Sequence, residues 1–259
     1  MKSELRTAVV TGAGSGIGKA AAIKLAEEGY AVALMDVKEN RAKEVQDKII
    51  SAGGQAAVYD IDVSDETRVK EGLADVHTHW GRIDVVFDNA GINGTFAPIE
   101  DMETDDWEQT IHTNLKSSFL FVKHSIPYMK ESGGSIIITS SINGNRTFSG
   151  IGMSAYATSK AGQVAFMKMA ALELARYQIR VNAICPGAID TNIDQNTEKE
   201  KSLEKVDIPV EFPEGGQPLE HKPGSPEQVA DLVYFLASEH SNHITGTEVY
   251  IDGAESLLR

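Results

Sequence analysis

The chain has 259 residues, 41% of them apolar and 24% charged, which suits one compact α/β core and argues against global disorder. Its 24 Lys and Arg stand against 38 Asp and Glu, a formal net charge of −14, so the surface repels nucleic acid and anionic lipid and neither is expected as a partner. The single cysteine, Cys185, excludes an intramolecular disulfide framework and a multi-cysteine metal cage, and with no base among its flanking residues it reads as a small buried group.

The segment Met1 to Arg6 carries charge where a signal peptide needs an apolar run, and no window approaches the roughly 18 apolar residues of a membrane span, so the expected location is the cytoplasm. Thr7 to Val10 is an apolar run closed by Gly12, and helical spacing follows through Ile17, Ala20, Ala21, Leu25 and Ala26 to a stop at Gly29. Ala31 to Met35 is a second run ending at Asp36, before a polar helix over Asn40 to Ser51. Ala56 to Tyr59 is the third run, and Ser64 reads as the N-cap of a helix reaching His79. Asp84 to Phe87 is the fourth, followed by Asp88-Asn89-Ala90-Gly91. Trp107 to Met129 reads as one long helix, Ser135 to Thr139 as a strand, Tyr156 to Ala175 as a helix and Arg180 to Ile184 as a strand. Pro226 to Ala237 is a helix with proline in its first turn, and Glu248 to Ile251 is a last short strand.

Strands without polar alternation are buried on both faces, as in a parallel sheet, and helices between them imply right-handed crossovers. The predicted fold class is α/β: a Rossmann-type, doubly wound parallel sheet of about seven strands in three α/β/α layers, forming a single domain over 1–259. Segment 192–225 breaks the rhythm with charges, Pro209, Pro213, Pro218, Pro223 and Gly215-Gly216. It reads as a mobile substrate lid over the carboxyl edge of the sheet, with a plain surface insertion as the alternative.

Between the first strand and first helix lies Thr11-Gly12-Ala13-Gly14-Ser15-Gly16-Ile17-Gly18. Glycines let the backbone turn tightly and approach a ligand, and the helix start offers unpaired N–H groups and a positive dipole end to a pyrophosphate. Asp36, at the end of the second strand, suits both hydroxyls of an adenosine ribose. It repels a 2′-phosphate, since like charges about 4 Å apart interact by several kcal/mol at intermediate dielectric. No Lys or Arg occupies Ser15 or Val37 to offset this, and Lys38 lies one place further on. NAD is therefore expected over NADP. Asp62 follows the third strand, where its side chain and the Val63 amide suit an adenine, N-capping of the next helix being the plainer use.

Tyr156 and Lys160 are four residues apart, on one helix face. Moving a hydride to or from a carbonyl carbon needs a proton moved at its oxygen. A free tyrosine titrates near 10, so bringing it to about 7 takes about 4 kcal/mol of differential interaction, much of which a lysine ammonium and a nicotinamide cation can supply.

The glycine turn, Asp62, Asn89-Ala90-Gly91, Asn114, Ser140-Ser141, Tyr156 with Lys160, and Pro186-Gly187 occur in this order. Together they resemble the compact, single-domain type of the short-chain dehydrogenase/reductase family, over nearly the whole chain. The resemblance implies Tyr156 as catalytic acid/base, with Lys160 lowering its pKa and binding the nicotinamide ribose. It implies Ser141 as the group orienting the substrate oxygen and Asn114 as the holder of a water linking Lys160 to solvent. Pro186, Gly187 and Ile189 are then expected to face the nicotinamide and Thr191 to bind its carboxamide. Gly12, Ser15, Gly16, Ile17, Gly18, Asp36, Asp62, Val63, Asn89, Ala90 and Gly91 are expected to line the rest of the cofactor. The resemblance further implies a homotetramer.

Three departures stand out. Asp88 occupies the place of the first of two asparagines. Tyr156 follows Ser141 by 15 residues rather than about thirteen, which reads as a two-residue insertion within Asn143 to Met153. Ser140 is the rival serine, since adjacent residues of an emerging strand point opposite ways, and Asn143 stands at the usual spacing. The last strand ends Asp252-Gly253-Ala254, with no function attached.

No metal site is expected: His77 and His79 diverge on a helix, and His240 and His243 have no carboxylates at ligand spacing. Phe148 and Met153 are placed equally by substrate contact and by loop packing. The expected activity is NAD-dependent interconversion of a small or medium secondary alcohol and its ketone, with a sugar, polyol or simple diol preferred. The alternatives are a 3-oxoacyl-thioester reductase and an NAD(H)-sensing protein without turnover. A longer sugar-nucleotide epimerase is disfavoured by chain length and glycine spacing.

Overall fold

The computed structural model describes residues 5–148, 150–206 and 216–258. Their chain order is β1 (Thr7–Thr11), α1 (Gly16–Glu27), β2 (Ala31–Asp36), α2 (Glu39–Ser51), β3 (Gln55–Asp60), α3 (Glu66–Trp80), β4 (Val85–Asp88), β5 (Gly94–Phe96), α4 (Thr104–Ile111), α5 (Ser117–Met129), β6 (Gly134–Thr139), α6 (Ser154–Leu174), β7 (Ile179–Pro186), β8 (Thr197–Lys199), α7 (Pro226–Ala237) and β9 (Glu248–Ile251).

Seven strands form one parallel sheet in the order β3-β2-β1-β4-β6-β7-β9. Alternation along each strand sends neighbouring side chains to opposite faces. Val9, Val86, Ile136, Ile138 and Val181 pack with Leu73 of α3, Phe121 of α5 and Met167 of α6. Ala8, Val10, Leu34, Phe87, Ile137 and Ile184 pack with Leu25 of α1, Val45 of α2 and Val233 of α7. Both faces are thereby dry, which is why the strands read as unbroken apolar runs. Each large side chain so buried contributes about 1.5–3 kcal/mol relative to exposure. The strand order reverses between β1 and β4, and the carboxyl ends of these two strands open the crevice in which such sheets bind ligands.

Four features depart from the sequence reading. The long helix begins at Thr104, because Asp105 and Asp106 suit its positive first turn, and it is interrupted by a π segment over His112–Lys116. Asp65, not Ser64, caps α3: its carboxylate accepts from the Thr67 and Arg68 amides, while the Ser64 amide and hydroxyl both donate to Asp62. β5 and β8 form a separate two-stranded parallel sheet, too short for a periodicity argument. Within the segment proposed as a lid, 193–205 carries two 3₁₀ turns around β8, and 207–215 lie outside the described residues.

Candidate active site

The turn after β1 is shaped for close approach. Gly12 and Gly16 have φ of +63° and +50°, and a Cβ on Gly18 would sit 2.1 Å from the Gly12 carbonyl oxygen. The Ser15 side chain makes no capping bond at the start of α1, so the helix's first N–H groups are left to a ligand's oxygens. Half-buried Ile17 packs on the core face holding α1. Asp36 closes the hollow: Oδ2 accepts from the Gly14 amide at 2.9 Å and Oδ1 from the Lys38 amide at 2.8 Å. Asp62 is exposed, with Oδ1 taken by Ser64, and Val63 beside it is buried.

Asn89 ties β4 to β1. Its amide donates to Thr11 Oγ1 at 2.8 Å and its Nδ2 to the Thr11 carbonyl at 3.1 Å, and the Ala90 amide shares Thr11 Oγ1. A Cβ on Gly91 would lie 3.0 Å from Asn114 Oδ1 and 3.7 Å from Lys160 Nζ, so the missing side chain leaves the space between them open. Opposite, Pro186 ends β7 and accepts the Ile142 amide at 3.0 Å, while the Gly187 amide donates to Ile251. Ile189 bridges to Gly224, and Thr191 Cβ lies 3.2 Å from where a Gly16 Cβ would be. The loop after β7 and the glycine turn thus face each other across the crevice. A glycine-walled hollow, an uncapped helix start and a carboxylate at the end of β2 fit a dinucleotide. Gly12 to Gly18 would hold its pyrophosphate and Asp36 its ribose.

Tyr156 and Lys160 lie on the buried face of α6, 8% and 4% exposed. The Tyr156 hydroxyl faces Ser141 closely enough for that side chain to act on its proton, and Ser141 Oγ accepts the Asn143 amide at 3.1 Å. Ser140 turns away and donates to the Lys160 carbonyl at 2.8 Å. Asn143 Oδ1 accepts from Thr147. Lys160 Nζ donates to the Thr139 carbonyl at 2.8 Å and sits 5.6 Å from the Tyr156 ring centroid. Burial pulls the lysine down to about 8, against the charge of Asp88, which holds it up. Burial likewise raises the Tyr156 phenol, with the nearby Ser141 side chain opposing. Lys160 Nζ is bonded to the Thr139 carbonyl rather than to the phenol. Fully buried Asn114 lies in the π segment, its side chain bonded to both backbone groups of Ile92. Cys185 is buried beneath this group, its thiol pushed up to about 12 by burial. Phe148 is 78% exposed.

Four residues escaped the sequence reading. Asn145, in the inserted turn, donates from Nδ2 to Ser140 Oγ at 3.0 Å and to the Ser141 carbonyl at 2.8 Å. Ser118 and Gln163 join Asp88 to the Asn114 carbonyl. A legible signal existed for this pair: Ser118 is four residues after Asn114, and Gln163 is three after Lys160, each on the helix face of its partner. Glu255 Oε2 accepts the Ala188 amide at 2.9 Å, clamping the loop after β7; its distance in sequence left no signal.

A family model described as Enoyl-(Acyl carrier protein) reductase matches residues 12–254. The chain is 47% identical to a solved 3-ketoacyl-ACP reductase from Sinorhizobium meliloti 1021, with a TM-score of 0.94 over 98% of this chain and 100% of that one. It is 34% identical over 257 residues to the 3beta-hydroxysteroid dehydrogenase of Mediterraneibacter gnavus, covering 95% of this chain and 92% of the relative. A 3-oxoacyl-(acyl-carrier-protein) reductase of Thermotoga maritima is 36% identical over 255 residues, 98% of each chain. Likeness of this extent, on a seven-stranded sheet with these landmarks at its carboxyl edge, establishes that the chain belongs to the short-chain dehydrogenase/reductase family, nicotinamide-dependent oxidoreductases acting on hydroxyl and keto groups.

Proposed function

We propose that the protein interconverts a small or medium secondary alcohol and its ketone with NAD(H), Tyr156 serving as acid/base. The observation that carries this reading is the meeting of the Tyr156 hydroxyl, Ser141 and Lys160 beside the open space at Gly91. The bound nicotinamide supplies the hydride acceptor or donor. Tyr156 takes the alcohol proton in oxidation and returns it in reduction, Ser141 holds the substrate oxygen, and Lys160 with Asn114 carries the proton onward. Burial keeps the Tyr156 phenol protonated, the form that reduction requires. For oxidation Lys160 must turn its ammonium toward the Tyr156 side, which the reading assigns to its contact with the nicotinamide ribose.

Asp36 supports NAD over NADP. Its carboxylate is already held by the Gly14 and Lys38 amides, so it cannot swing clear of a 2′-phosphate without giving up both bonds. Pro186, Gly187, Ile189 and Thr191 are assigned to the nicotinamide, and Asp62 with Val63 to the adenine. Within the family, a sugar, polyol or simple diol is the preferred substrate class. The names of the relatives from Sinorhizobium and Thermotoga favour a second reading, a 3-oxoacyl-thioester reductase. We further infer a homotetramer in the cytoplasm, with 192–225 as lid. Phe119 on α5 and Met169 and Leu172 on α6 leave apolar side chains exposed, 45%, 57% and 75%, for contact between copies. A monomeric mass by light scattering would count against the tetramer.

The test is titration of NADH and NADPH by fluorescence on wild type and Asp36→Ala, followed by an alcohol and ketone panel on wild type and Tyr156→Phe. The reading expects an NADH preference that relaxes in Asp36→Ala, and turnover lost in Tyr156→Phe with NADH binding kept. NADPH preference would move the search to the thioester reductase. Wild-type rates in Tyr156→Phe would overturn the mechanism.

A further inference from the structure

Behind the catalytic group lies a buried carboxylate that the mechanism above does not use. Asp88 ends β4 and is 1% exposed. Its Oδ2 accepts from the Ser118 hydroxyl on α5 at 2.5 Å, and its Oδ1 has no hydrogen-bond partner. Ser118 Oγ in turn accepts from Gln163 Nε2 on α6 at 2.8 Å, and the same Nε2 donates to the Asn114 carbonyl at 2.8 Å. Gln163 is 1% exposed and its Oε1 also has no partner. The result is a dry hydrogen-bonded chain from a carboxylate to the π-segment carbonyl of Asn114.

The groups around Asp88 are few. From β1 comes the Thr11 hydroxyl, from α5 Ser118, and from α6 the Lys160 ammonium. Behind Lys160 stand the neutral acids Tyr156 of α6 and Cys185 of β7. Among the described residues, Lys160 is the cation whose charge acts on Asp88, and Asp88 is the carboxylate whose charge acts on Lys160. Burial drives each toward its neutral form, the acid up to about 6 and the amine down to about 8, while the opposite charge of each holds the other ionised. The geometry brings them together: Asp88 is registered beside Ile138 of β6, and Lys160 Nζ donates to the carbonyl of the next residue, Thr139, at 2.8 Å.

We propose that Asp88 is a positioning residue for the reaction: its carboxylate keeps Lys160 charged in the dry site and, through Ser118 and Gln163, fixes the Asn114 carbonyl. This rests on the reading that Tyr156 and Lys160 carry the acid/base step. An asparagine at this place can keep a hydrogen bond to Ser118 but carries no charge, so Asp88→Asn isolates the electrostatic part.

The experiment is the pH profile of kcat/KM for alcohol oxidation in wild type, Asp88→Asn and Tyr156→Phe, with NADH titration of each. In Asp88→Asn the alkaline limb is expected to move about one unit toward lower pH, a tenfold loss on that limb, with NADH affinity unchanged. An unmoved limb, with Tyr156→Phe inactive, overturns the assignment and leaves the function standing. Turnover at wild-type rates in Tyr156→Phe overturns both. A second measurement needs neither turnover nor a folded Asp88→Asn. With aspartate labelled at its carboxyl carbon, NMR titration should show the carboxyl that titrates highest moving upward in Lys160→Met. Identical titration in the two proteins overturns the pairing.

Discussion

Asn114 and Ile92 exchange two hydrogen bonds, Ile92 N–H to Oδ1 and Nδ2–H to the Ile92 carbonyl, each 2.9 Å. One side chain thereby replaces a strand neighbour for the loop leaving β4 and pins that loop to the π segment. Asn114→Leu removes both partners at once. Leaving them unmet costs about 1–3 kcal/mol for each buried polar group not rescued by water. A lower melting temperature together with reduced turnover is expected. Unchanged melting would show that the pairing does not hold the loop.

Gly18 tests the cofactor hollow on steric grounds alone. A Cβ there would meet the Gly12 carbonyl oxygen at 2.1 Å and Asn89 Nδ2 at 2.8 Å, and the first of these is backbone that cannot turn aside. Gly18→Ala must spread the turn from α1, at about 1–3 kcal/mol for overpacking. NADH affinity should fall at least tenfold in a fluorescence titration, with a smaller loss of stability in denaturant. Affinity equal to wild type would place the dinucleotide elsewhere.

The sheet was legible because its central strands are sealed on both faces, and unbroken apolar runs between helices admit few other architectures. Local chemistry was legible where it is local, as with Tyr156 and Lys160 one helical turn apart. What escaped the reading lies where partners are far apart in sequence or where a loop sets its own geometry. Glu255 reaches Ala188 only in the folded chain. The π segment around Asn114 coincides with bonds to Ile92, 22 residues earlier, that helical periodicity does not register. Ser64 loses the cap of α3 because Asp62 already takes its amide, a competition decided by two carboxylates rather than by residue preference.

The inserted turn between Ser141 and Tyr156 supplies a further test. Asn145 Nδ2 grips Ser140 Oγ and the Ser141 carbonyl, and the Asn143 amide holds Ser141 Oγ. Removal of the Asn145 amide frees one anchor of Ser141, the serine that faces Tyr156, and one of its neighbour Ser140. Asn145→Ala should lower kcat several-fold to about tenfold, as a loss of orientation does, while NADH binding stays at the wild-type level. A change confined to NADH binding would assign Asn145 to the cofactor side instead.

Asp88 also fixes a sign for stability. Its carboxyl is raised in the folded protein from 3.8 to about 6, chiefly by burial, so the folded chain holds this proton more tightly than the unfolded one. The stability contributed by that proton is complete below about pH 4 and is lost as pH rises through about 6. The shift corresponds to about 3 kcal/mol at most. Asp88→Asn has no proton to lose. The melting temperature of the variant relative to wild type should therefore climb between about pH 4 and pH 6.5, a window in which Lys160 stays protonated in both. Thermal melts across it check this directly. A constant difference would mean that Asp88 titrates like an exposed aspartate, and that its burial is relieved by a contact other than Ser118.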